Sequence, residues 1–161
     1  MRILSILFAA CLMVLPVGLL ADKADPVWNF EASDPVMNDA IAEARATLPI
    51  FLNKVSVSNP AQELFALKVA LPTPDAGHEH VWVAYFNHQN NSFEGALMNQ
   101  PAMAQGNRGD VIEFTNADIS DWFFWQDEKM HGAFTMRVML PQLSAEDQAY
   151  YKGVLAPKPV R

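Results

Sequence analysis

The chain has one cysteine in 161 residues, Cys11, and it lies inside an apolar N-terminal run. Without that run, no disulfide, thiol nucleophile or thiolate metal site can form. Glycine is sparse, with seven residues, and none cluster into a phosphate-cradling loop. There is no Gly-x-Ser-x-Gly elbow of the kind that presents a nucleophilic serine. Positive charge is also short: 11 Lys and Arg face 18 Asp and Glu, a formal charge of −7. Nucleic acids and anionic membrane surfaces both demand a basic footprint, so neither is an expected partner. No internal repeat, low-complexity tract or domain linker is visible.

What is present begins with a leader. Arg2 gives a positive start, Ile3 to Leu20 is almost wholly apolar, and Ala21 precedes the polar Asp22-Lys23-Ala24-Asp25. This pattern reads as a signal peptide over residues 1–21, with Pro16 and Gly18 breaking the apolar run before the cleavage site. Two alternatives compete. An uncleaved anchor would use the same run, which is just long enough to span a bilayer. A lipoprotein would be cut before Cys11, after too short an apolar stretch. A single arginine, not a pair, points to the general secretion route. The expected product is periplasmic or extracellular, with no membrane span after cleavage. It has ten basic against eighteen acidic residues and a formal charge of −8. Its roughly 140 residues suffice for one core without staples.

Residues 22–34 read as a polar lead-in. Asp34-Pro35 then looks like an N-cap followed by proline at the first helical position. Met37, Ile41, Ala44, Leu48 and Phe51 recur at spacings of four and three, one apolar stripe on a helix that Pro49 should kink or end. Strand alternation follows over residues 64–71, 80–87 and 92–99, with turn-rich Pro72 to Gly77 and His88 to Asn91 between them. Shorter strands are expected at 110–115 and 118–125, a polar loop at 126–132, and an ambiguous strand or helical turn at 133–140. Ser144 caps a last helix running to about Val154, and 156–161 reads as a loose tail. The expected architecture is a single α+β domain over 35–155: an N-terminal helix packed on an antiparallel sheet of about five strands, with a short C-terminal helix.

Several residues could carry chemistry. His78 and His80 would share one face of a strand with Asp75 nearby, and two imidazoles plus a carboxylate can hold a divalent metal; the plainer reading is a loop histidine and one packed beside Trp82. Asp118, Asp121 and Glu113 are candidate carboxylates. Asp121, set among Ile, Trp and Phe, needs a partner if buried, and Arg137 can bind a carboxylate bidentately. Ser120 with His80, Asp121 and Arg137 would make a hydrolase-like group, against the plainer reading of a structural Asp–Arg pair. Arg108-Gly109-Asp110 spells an adhesion tripeptide but reads better as a turn with positive φ at Gly109. The aromatic run Trp122-Phe123-Phe124-Trp125 is too dense for one buried face, so Trp122 and Phe124 either meet the helix or form a partner surface.

A set of stretches carries a family resemblance: Ala40 to Phe51, Phe65-Ala66-Leu67-Lys68-Val69, Glu79-His80-Val81-Trp82-Val83, Phe93 to Pro101, Gly109-Asp110-Val111, Ile119-Ser120-Asp121-Trp122 and Gly132 to Arg137. In this order and spacing, over residues 36–140, the chain resembles the bacterial YegJ-like family, domain-of-unknown-function family 2314. The resemblance implies an α+β domain that often stands alone behind a signal peptide, and it brings no activity or cofactor. Its polar motif residues, Glu79, His80, Asn99, Pro101, Asp110, Ser120, Asp121, Trp122, Thr135 and Arg137, either converge on one ligand site or lock the loops together. The expected function is a non-catalytic exported module that binds a protein or envelope ligand. A small hydrolase and a divalent-metal protein are the competing expectations.

Overall fold

The computed structural model describes residues 34–57 and 64–159. The expected signal peptide and residues 22–33 of the lead-in lie outside the described residues. Helix α1, Pro35–Val57, starts as its sequence dictates. Asp34 Oδ1 accepts from the backbone N–H groups of Val36 and Met37 at 2.9 and 3.1 Å, satisfying two donors that a helix start leaves open. The stripe Met37, Ala40, Ala44, Leu48 and Phe51 is buried. Pro49 does not end the helix, which continues to Val57. Phe51 anchors the following turns, with ring centroids 5.9, 5.9 and 5.2 Å from Phe65, Phe86 and Trp122.

The sheet has six strands among the described residues: β1 Phe65–Pro72, β2 His78–Gln89, β3 Ser92–Leu97, β4 Val111–Thr115, β5 Ile119–Gln126 and β6 Lys129–Gly132. Their order is β4-β3-β2-β1-β5-β6, and every neighbouring pair is antiparallel. The sixth strand replaces the expected polar loop at 126–132. Gln126 pairs with Lys129, so Asp127 and Glu128 form a two-residue hairpin turn, both with positive φ. Such turns usually carry Asn-Gly or Asp-Gly, and Asp-Glu hides the signal. Asp118 belongs to a 3₁₀ turn, Asn116–Asp118, not to β5; its carboxylate accepts from Thr115 N and Oγ1, both at 2.8 Å.

Residues 133–140 resolve as helix α2, Phe134–Met139, and α3 follows at Ala145–Val154, capped by Ser144. Alternation across the sheet builds two apolar layers. Leu67, Val69, Val81, Val83, Phe93 and Trp122 face α1. Ala66, Ala84, Phe123 and Met130 lie in the other layer with Leu155, Met136, Leu140 and Tyr151 of the C-terminal segment. The expected loose tail is fastened as far as it is described. Ala156 is buried and donates to Met130 O at 2.9 Å, and Pro159 O accepts from Gly132 N at 2.7 Å.

Gly132 is where the chain turns into α2. Its φ is +75°, and a Cβ there would lie 2.3 Å from Trp122 O and 2.4 Å from the indole ring. Only glycine permits this approach. Ala133, also left-handed at φ 54°, then donates to Trp122 O at 2.8 Å. The crossing brings the first residues of α2 over Asp121.

Candidate functional site

The pairing of β1 with β5 slips at one point: Lys68 faces Asp121, but Val69 faces Ile119. Ser120 is the extra residue of a β-bulge, a device that re-aims side chains. Ser120 reaches His80 while the adjacent Asp121 reaches the start of α2.

Asp121 has no exposed surface. Its Oδ1 accepts from Trp122 N at 2.8 Å and Phe134 N at 3.1 Å; its Oδ2 accepts from Thr135 N at 2.8 Å and Thr135 Oγ1 at 2.6 Å. Four donors on one buried carboxylate tie β5 to α2. Burial raises the Asp121 carboxyl above its ordinary value, opposed by the Thr135 hydroxyl, the Lys68 charge and the backbone N–H groups. The Thr135 hydroxyl that donates to Asp121 accepts from Lys68 Nζ at 3.1 Å. That ammonium also stands 5.3 Å from the centre of the Trp82 ring. Burial lowers the Lys68 pKa, and Asp121 partly restores it.

His80 is exposed on β2 and shares a 2.7 Å hydrogen bond through Nδ1 with Ser120 Oγ. Its pKa is lowered from 6.5 to about 4, first by desolvation and then by the charges of Lys68, His78 and Arg45. Arg45 is fixed to the same end of the sheet, donating from Nε to Ile119 O at 2.8 Å and from Nη2 to Ala117 O at 3.2 Å.

The other motif residues hold the frame at separate places. Glu79, on the opposite side of β2, accepts from Ala102, Met103 and Ala104 N at 2.7, 2.8 and 2.8 Å and clamps the loop after β3. Desolvation raises its pKa, but those backbone bonds prevail and hold the carboxyl below its ordinary value. Asn99 Oδ1 accepts from Trp82 N at 2.9 Å where β3 has ended. Pro101 is buried in the clamped loop. Asp110 accepts from Asn107 N at 2.8 Å. With φ +92° at Gly109, the Arg108-Gly109-Asp110 run is a turn, as its composition suggests. Trp122 meets the helix: its Nε1 donates to Ala44 O at 2.9 Å.

The expected Asp121–Arg137 pair is not formed. Arg137 Nε donates to Gly132 O and Nη1 to Ala156 O, both at 3.0 Å, while buried Nη2 has no partner among the described residues. Arg137 thus fastens the C-terminal segment, and Lys68 with Thr135 takes the place beside Asp121. The structure therefore joins His80, Ser120, Asp121 and Thr135, and leaves Glu79, Asn99, Asp110 and Arg137 elsewhere.

The hydrolase-like arrangement finds one favourable contact, Ser120 to His80, and two obstacles. Ser120 has no exposed surface, and Asp121 is filled by four donors. Neither is placed to touch a substrate. For the metal reading, Asp75 turns into its own loop, accepting from Thr73 Oγ1 and Gly77 N. No three His, Asp or Glu side chains gather around a metal position among the described residues. His88 and His131 stack on Phe93 and Phe124. Lys68 and Arg45 are the residues that sequence reasoning passed over. A lone lysine inside the apolar strand Phe65-Ala66-Leu67-Lys68-Val69 was the available signal, since a charge at a half-buried position needs a partner.

Fold and site together define a small α+β domain whose polar residues chiefly fasten strands, loops and helices to one another. A family model described as "Uncharacterized protein conserved in bacteria (DUF2314)" matches residues 34–155. The chain belongs to this family. It is also similar to "Uncharacterized protein YegJ" of Escherichia coli (strain K12), with 25% identity over 145 residues, 89% of this chain and 92% of the relative. No solved structure matches. No helix among the described residues is long and apolar enough to cross a membrane.

Proposed function

We propose that this chain is an exported, non-catalytic module that binds a protein or an envelope ligand through the surface around His80. One observation carries this reading. The carboxylates suited to catalysis, Asp121 and Glu79, are occupied by four and three protein donors, whereas His80, hydrogen-bonded to Ser120, keeps exposed surface. A side chain that is held rigidly yet left exposed suits recognition. Export is supported by the leader pattern of residues 1–21.

The test uses two photo-crosslinkable variants of the mature chain, one with the probe at His80 and one at Ile50 on the far side, exposed on α1. Incubated with bacterial envelope extract, the His80 probe is expected to give a reproducible adduct that the Ile50 probe does not. Absence of any position-specific adduct contradicts the reading. Turnover of ester, phosphate or peptide substrates that is lost in His80→Ala would replace it with an enzymatic one.

A further inference from the structure

The two edges of the sheet are finished differently. The outer side of β6 meets the C-terminal segment: Met130 bridges Leu155, and Met130 O accepts from Ala156 N at 2.9 Å. β4 ends the sheet on the other side, with no further strand among the described residues. Along β4 the hydrogen-bonding groups alternate between β3 and the open edge. Leu97 N donates to Asp110 O at 3.0 Å, so Asp110, and with it Ile112 and Phe114, turn toward β3. Thr115 N agrees with this phase: it donates to Asp118 Oδ2 at 2.8 Å, not to β3. Val111 and Glu113 therefore aim their N–H and C=O groups outward. An open edge of this kind is a template for another strand.

The side chains along this edge decide what kind of strand fits. Val111, Glu113 and Thr115 are exposed, whereas Ile112 is half-buried and Phe114 buried in the layer that faces α1. Glu113 stands directly opposite Glu94, and Glu94 opposite Asn87. Like charges directly opposite one another are destabilising, and this row holds no cation. A cation in the next strand outward would stand opposite Glu113 and one strand from Glu94. The neighbouring row, Ala84, Ala96 and the 63% exposed Val111, is apolar. The chain's own segments lack the matching charge. The β4 strand of a second copy contains no cation, and residues 22–33 carry Asp22, Asp25 and Glu31 against Lys23.

We propose that the open edge of β4 is a docking site for an extended, basic segment of a partner protein, which adds to the sheet as a further antiparallel strand. Val111 and Glu113 each exchange a pair of backbone hydrogen bonds with it. Because the added strand runs against β4, the residue opposite Glu113 comes two before the residue opposite Val111. The segment therefore carries Lys or Arg, then a residue beside Ile112, then an apolar residue against Val111. Backbone bonds supply affinity, and the alternate side chains supply selectivity. His80 precedes the part of β2 that pairs with β3, so this edge is distinct from the surface around His80 and the inference stands apart from the binding role given to that surface.

The experiment is amide exchange and 15N NMR of the mature chain, alone and with the capped peptide Thr-Val-Lys-Val-Val-Thr. In the free monomer the Val111 and Glu113 amides are expected to exchange quickly while those of Ile112 and Phe114 are protected. The peptide should give saturable shifts at Val111, Glu113 and Glu94 and slow the first two amides. Replacing its lysine by glutamate should weaken binding about tenfold, and Glu113→Lys should reverse that preference. Val111→Pro removes an outward donor that β3 does not use, and should weaken either peptide about tenfold. Absence of saturable binding, equal affinity for both peptides, or binding unchanged in Val111→Pro overturns the proposal. So does protection of Val111 and Glu113 without peptide: in a monomer it marks the chain's own segment on the edge, and in a dimer a second copy. If Val111→Pro fails to fold, the charge swap at the exposed Glu113 still decides. A position-specific crosslink from His80 without peptide binding discards the β4 site and leaves the proposed function standing, and peptide binding without that crosslink does the reverse.

Discussion

Removing the Glu79 carboxylate should release the loop after β3 and leave the sheet intact. Glu79 accepts from three consecutive backbone N–H groups, Ala102, Met103 and Ala104, at 2.7–2.8 Å. Bonds to a charged acceptor are worth about 1.5–3 kcal/mol each when the released donors stay buried. Ala102 and Met103 are exposed and can be rehydrated, whereas Ala104 is buried. A cost of about 2–4 kcal/mol for Glu79→Ala follows. Glu79→Gln keeps one acceptor oxygen but aims an amide donor at the remaining N–H, and should fall between. Amide hydrogen exchange reads this directly, because each 1.4 kcal/mol is about tenfold in protection. The three amides should lose roughly a hundredfold protection in Glu79→Ala while β1 and β5 amides scarcely change. The pH dependence has a fixed sign. Glu79 titrates below its ordinary value in the folded chain, so its stabilisation is complete above about pH 4.5 and is lost as pH falls through the depressed value. Amides 102–104 that exchange freely in the unaltered protein at pH 7 would refute the clamp.

Other substitutions have equally definite outcomes. Gly132→Ala would force a Cβ within 2.3 Å of Trp122 O at φ +75°, and should cost about 3 kcal/mol or more, seen as a collapse of the thermal midpoint. Tyr85 is 84% exposed and left-handed, φ 51°, at the bulge between β2 and β3; Tyr85→Gly should stabilise the fold by about 0.5–1 kcal/mol in urea unfolding. His80 should titrate by NMR near pH 4. The unfolded chain then binds its proton more readily between pH 4 and 6.5, so this group makes stability rise with pH across that window. Lys68→Met should move the His80 midpoint upward by removing a positive neighbour, and an unchanged midpoint would contradict that coupling.

The parts of the fold that were legible from the residues have local causes. The Asp34 cap, the α1 stripe and the alternation in β1 and β2 follow from spacing, and the family resemblance covers nearly the span that the family model matches. What was not legible depends on distant parts of the chain. The β5–β6 hairpin turns through Asp127-Glu128, which lacks the usual glycine. The helix past Pro49 depends on Phe51 reaching Phe65 and Trp122. In the site, Asp121 was recognised as a buried carboxylate in need of partners, but Arg137 was the wrong one. Four donors, three of them from Phe134 and Thr135 of α2, and Lys68 supply the need, while Arg137 turns to the carbonyls of Gly132 and Ala156. Ser120 pairs with His80 only because the bulge adds one residue to β5, which no local pattern announces.

The division between residues that hold the frame and residues left for a ligand is tested most directly by urea unfolding of two variants side by side. Asp121→Ala strands the N–H groups of Trp122, Phe134 and Thr135 in a buried place. At about 1–3 kcal/mol for each, the loss approaches the whole stability of a domain of this size, about 5–15 kcal/mol. His80→Ala removes an exposed ring and should cost under about 1 kcal/mol. The predicted result is an Asp121→Ala chain at the edge of unfolding beside a His80→Ala chain close to the unaltered protein. An Asp121→Ala chain as stable as the unaltered protein, or a His80→Ala chain equally crippled, would contradict it.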